Sequence, residues 1–132
     1  MMMNDIEKIL NTGKHLFIDK IYKHAVPDDE IKNNSQTIAV IQRVNRQTDC
    51  LGNNTFGAVT DKYEVQIYYS VDFSHDIEAV EESLMLLLVA NGYTIDNMNN
   101  NFDKDTKQIY STLYFYKSKI IKEESREYTW VS

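Results

Sequence analysis

The sequence predicts an α+β domain: a mixed, mostly antiparallel β-sheet with two helices packed on one face, in the order α-β-β-β-α-β-β. Three observations predict it. Tyr63, Val65, Ile67 and Tyr69 alternate with Lys62, Glu64, Gln66 and Tyr68, which is the period of a strand with one buried face. Ser74 or Asp76 stands before a helical stretch from Ile77 to Asn91 that Gly92 ends, the pattern of a capped helix. Strand-like runs lie close together on both sides of this helix, which favours hairpins and one crossover. A chain of 132 residues sits in the usual size range of one domain, so one core and no second domain are expected.

Taken in order, Asn4 with Glu7 three residues on is an N-cap signature, and Ile6, Ile9 and Leu10 recur at helical spacing until Gly13. Leu16 to Tyr22 is rich in β-favouring residues, and Val26-Pro27-Asp28-Asp29 breaks the regular structure. Thr37 to Val44 is β-branched and apolar enough for a covered strand. Asn45 to Gly57 is polar and carries Gly52 and Gly57, so it is expected to be a long loop of the kind used for contacts. The strongest strand runs from Thr60 to Ser70. In the second helix Leu84 to Ala90 is apolar all round, which predicts cover on more than one side. Tyr93 to Met98 and Gln108 to Ser118 are the last two strands, joined through asparagines and an Asp103-Lys104-Asp105-Thr106 turn.

Charge and motif content narrow the function. The net charge is −6, opposite to the basic footprint of phosphate binding, though suited to a surface that DNA passes without sticking. The lone Cys50 forms no internal bridge and fits a reducing compartment. No apolar run approaches the ~20 residues of a membrane helix, and the start of the chain lacks the pattern of an export signal. His15, His24 and His75 stand apart from second ligands, so no metal is expected. Asp72, His75 and Asp76 could form an acid/base cluster, but they fall where the second helix needs its cap. Asn97, Asn99, Asn101, Asp103 and Asp105 alternate oxygen donors without the Gly and Glu of a calcium loop. No glycine-rich phosphate loop is present. The chain is therefore read as no enzyme, with neither cofactor nor metal.

Tyrosine stands out, with nine in the chain. It is an ordinary sheet residue, and half-buried rings with wet hydroxyls need no function. The sharper reading is an interface. Tyr110, Tyr114 and Tyr116 share one face of the last strand, and Tyr68 lies on the outward face of the third, while Ile109, Leu113 and Phe115 fill the other side. Trp130, the only tryptophan, lies in the segment after the last strand and would make that segment a docking arm. The interface set is Asn53, Asn54, Phe56, Tyr68, Tyr110, Tyr114, Tyr116 and Trp130.

Gly52-Asn53-Asn54-Thr55-Phe56, then Tyr63-Glu64-Val65-Gln66-Ile67-Tyr68-Tyr69 and Asp72-Phe73, resemble tail-component proteins of siphophages that infect Gram-positive bacteria. Asn91-Gly92-Tyr93, Asp103, Asp105-Thr106-Lys107-Gln108 and the closing aromatic strand through Ile121 are similar to the same family in order and spacing. The resemblance covers residues 4–121. Residues 1–121 are accordingly read as a tail-terminator-like domain and 122–132 as a C-terminal tail beyond the pattern. The resemblance implies a virion component of the tail, assembled in the host cytoplasm, whose subunits close into a homohexameric ring. That ring caps the tail tube and joins it to the head, so its partners are further copies of itself, the major tail-tube protein and the head-completion or connector protein. DNA only passes through the channel, and no membrane is involved. The alternative is a small regulatory module that binds a protein or single-stranded nucleic acid through its aromatic sheet face.

Overall fold

A computed structural model describes residues 2–13, 16–51, 56–122 and 128–131. Helix α1, Met2–Thr12, opens the chain. Strand β1, Lys20–Lys23, and a 3-10 turn at Asp28–Glu30 follow it. Strands β2, Ile38–Leu51, and β3, Phe56–Tyr68, come next. Helix α2, Ile77–Ala90, leads to β4, Thr94–Asp103, β5, Gln108–Lys122, and a short β6, Tyr128–Val131. The sheet order is β1-β2-β3-β5-β4, with β6 beside β5. Only the β1–β2 pair is parallel. The α+β class and the mostly antiparallel sheet expected from the sequence are both present.

Alternation places the core. Tyr63, Val65 and Ile67 on β3 and Tyr69 just after it, Ala39 and Ile41 on β2, and Leu113 and Phe115 on β5 are all buried on one face. Both helices lie over that face, where Ile6, Leu10, Val80, Leu84 and Leu88 join the same cluster. The rings of Tyr63, Tyr93 and Phe115 interlock, stacked or edge-on, at centroid distances of 5.4–6.5 Å, separations typical of favourable aromatic pairs. The Asp76 carboxylate accepts from the N–H groups of Glu78 and Ala79, which caps α2 as its sequence predicts. At the other end Gly92 takes φ 89°, a left-handed conformation that a Cβ disfavours.

Several expectations need correction. Helix α1 begins at Met2, so Asn4 lies inside it and its side chain accepts from Lys23 Nζ at 2.8 Å in place of capping. The loop expected from Asn45 to Gly57 is largely strand, because β2 runs on to Leu51 and β3 starts at Phe56. Every β2 residue from Gln42 to Thr48 is exposed, so no apolar alternation marks this stretch as β. β4 likewise runs through the asparagines to Asp103, although asparagine is depleted in strands. Helix α2 is not covered all round, for Leu86 is 71% and Val89 54% exposed. The segment after the last expected strand contributes β6.

Candidate interaction face

The sheet surface opposite the helices forms the candidate site, and its layout follows from register. Asn101, Tyr110, Tyr68 and Ile38 stand side by side across β4, β5, β3 and β2. The next rows are Asn99, Thr112, Gln66 and Val40, then Asn97, Tyr114, Glu64 and Gln42. Thr94, Tyr116, Lys62 and Asn45 complete the grid. Strand periodicity therefore brings Tyr68, Tyr110, Tyr114 and Tyr116 together on one face, as their spacing predicts. All four are half-buried, which their cross-strand neighbours explain without a covering layer.

Local contacts fix the rings. Tyr68 and Tyr110 stack at 5.1 Å with a 23° tilt, and the Tyr68 hydroxyl donates to Gln66 Oε1 at 3.1 Å. Burial first, then the neighbouring Tyr110, pushes the Tyr68 phenol upward. Lys62 Nζ lies 5.2 Å from the centre of the Tyr114 ring and 2.7 Å from Asp96 Oδ2. A hydrogen bond with Glu64 raises the Tyr114 phenol above its ordinary value. The face thus mixes aromatic area with paired charges, and its carboxylates answer its lysine.

The other predicted residues fall elsewhere. Phe56 opens β3 opposite Leu51 and Lys122, and Trp130 lies in β6 opposite Lys119. Both lie further along β3 and β5 than the tyrosine rows. Asn53 and Asn54 lie outside the described residues. Asn97, Asn99 and Asn101, which border the tyrosines, were missed as part of the face. Their only sequence signal is the spacing of two, which the sequence reading set against a calcium loop.

Beside Tyr68 the face deepens into a hollow roofed by Ala25, Val26 and Ile31 and floored by Ile38, Val40 and Gln66. The Thr106 hydroxyl lines it and has no hydrogen-bond partner among the described residues. Two polar clusters lie on the helix side. Glu81 accepts from Tyr69, Asn100 and Ser111, and Asp61 takes a two-pronged bridge from Arg46 at 2.6 and 2.8 Å. His75 stacks on Phe17 at 3.6 Å and Asp76 caps α2, so the imagined acid/base cluster is occupied with structural contacts. Among the described residues, no group of His, Cys, Asp or Glu could hold a metal. No helix among the described residues is long and apolar enough to cross a membrane.

Fold and face together define a small α+β domain with its helices on one side of a mixed sheet and an open aromatic surface on the other. The chain belongs to the DUF806 family, described as proteins of unknown function, whose model matches residues 2–121. No curated protein matches it.

Proposed function

We propose that this chain is a structural phage tail protein, a tail terminator that closes into a ring on the tail tube and joins it to the head. The observation that carries the proposal is the tyrosine face. The main core cluster lies on the helix side, and on the opposite face Tyr68, Tyr110, Tyr114 and Tyr116 stay half-buried. Aromatic sheet surface of this kind suits contact with another protein. The resemblance of residues 4–121 to siphophage tail components supports a ring as the form that contact takes, and heterologous contacts repeated about an axis build one.

The competing reading, stacking of single-stranded bases on the same face, wants a positive groove. Glu64 and Asp96 stand beside Lys62 on this surface, which favours protein over nucleic acid. Sedimentation velocity at rising concentration, with and without the major tail-tube protein, tests the proposal. Rings of about six copies support it. A chain that stays monomeric alone and with the tube protein overturns it, and a salt-sensitive gel shift on single strands would move the assignment to the regulatory reading.

A further inference from the structure

Among the described strands the sheet has two open edges, one on each side. β1 pairs with β2 only from Ile38 to Ile41, so from Gln42 onward no described strand lies against β2 on that side. The opposite edge is β4, and β6 extends its line along β5. Open strand edges are templates for pairing with another chain.

Backbone direction along β2 can be read from its neighbours. The Thr37 carbonyl accepts from Asp19 and the Ile41 carbonyl from His24, both at 2.8 Å, so odd-numbered residues turn their backbone groups away from β3. The register shift between Arg43 and Asn45 moves this alternation by one residue. Beyond it, the N–H groups of Arg46, Thr48 and Cys50 face the open edge, and those of Asn45, Gln47 and Asp49 face β3.

We propose that the open stretch of β2 pairs with the β4–β6 edge of a second copy, joining the sheets of neighbouring subunits. The proposal rests on the ring reading and gives it an interface. Charge selects the partner. Over its open length, Gln42 to Leu51, the strand carries Arg43, Arg46 and Asp49, two bases against one acid, while β4 carries Asp96 and Asp103 and no base. Asp61 already bridges Arg46, and Lys62 bridges Asp96, yet Arg43 and Asp103 keep the two edges opposite in sign. Pairing β4 with β4 sets acid against acid, and pairing β2 with β2 joins two edges of net positive sign; the unlike pairing joins edges of opposite net sign. Direction agrees, because β2, β3, β5 and β4 alternate up and down. Copies turned about an axis along the strands therefore bring β2 and β4 together antiparallel. Edges on opposite sides of one sheet make a head-to-tail contact, which repeats until it closes.

Thr48→Pro tests the seam, since it deletes an edge-facing N–H and leaves the bonds to β3 in place. Thr48→Val keeps that N–H. Wild type and Thr48→Val are expected to assemble alike in sedimentation velocity, while Thr48→Pro needs roughly tenfold more protein, with an unchanged far-UV circular dichroism spectrum. If Thr48→Pro assembles like wild type, the edge pairing is wrong and the ring reading stands. If wild type never assembles, alone or with the tail-tube protein, both fall. Should Thr48→Pro unfold, amide exchange on wild type decides: the N–H groups of Arg46, Thr48 and Cys50 must slow on assembly. Equal rates in dilute and assembled samples overturn the proposal.

Discussion

Tyr69, the residue after β3, donates its hydroxyl hydrogen bond to Glu81 Oε2 on α2 at 3.0 Å, and this contact ties the second helix to the sheet. The same carboxylate accepts from Ser111 on β5 and from Asn100 on β4 at 3.0 Å. One buried side chain thus collects donors from β4, from β5 and from the residue after β3. Burial, then the nearby carboxylate, pushes the Tyr69 phenol far upward, so it stays a donor at any ordinary pH. Replacing Glu81 by Ala takes this acceptor from the Tyr69 and Ser111 hydroxyls, while Asn100 keeps its bond to the Ser111 hydroxyl. The expected cost is about 2–4 kcal/mol, read as a lower midpoint in urea with an unchanged slope. Glu81→Gln, which keeps an acceptor, should lose less.

The Arg46–Asp61 bridge gives a pH dependence. Burial works to raise the Asp61 carboxyl, and the Arg46 guanidinium outweighs it, so the folded value lies below the ordinary one. A carboxyl with a depressed folded pKa binds fewer protons when folded. Its stabilisation is complete above about pH 4 and fades as pH falls through the folded value. Asp61→Asn should therefore flatten the stability curve below about pH 4. Removing the carboxylate outright, as in Asp61→Ala, should cost about 2–3 kcal/mol in thermal melts near neutrality, the lower side of the range because Arg46 is half-exposed.

Two leucines two positions apart on α2 should behave oppositely. Leu84 is fully buried, and Leu84→Ala is expected to cost about 2–5 kcal/mol. Leu86 is exposed, so Leu86→Lys should change chemical denaturation by less than about 0.5 kcal/mol.

The tyrosine face separates folding from assembly. Tyr110→Ser removes the half-buried ring stacked on Tyr68, and Tyr114→Ser the half-buried ring beside Lys62, and each should cost about 1–3 kcal/mol. The double variant is expected to fold, by near-unchanged circular dichroism, and to assemble at least tenfold more weakly in sedimentation.

Period two on β3 and the capped apolar run of α2 were legible in the sequence because local spacing encodes which face is buried. The four tyrosines were legible for the same reason, since strand parity alone assigns them a side. The missed lengths of β2 and β4 share one cause. Gln42 to Thr48 and Asn97 to Asn101 are polar on their exposed faces, so they show no alternation, and neighbouring strands make them strand.

By itself, then, the sequence determined the α+β class, the core face of β3 and β5, the cap at Asp76 and the shared side of the tyrosines. The tertiary structure decided what pairing across distance controls: the strand order, the meeting of Glu81 with Tyr69, Asn100 and Ser111, the Arg46–Asp61 bridge and the two open edges. Periodicity is a property of neighbouring residues, whereas register and edge are properties of strands brought together from far apart in the chain.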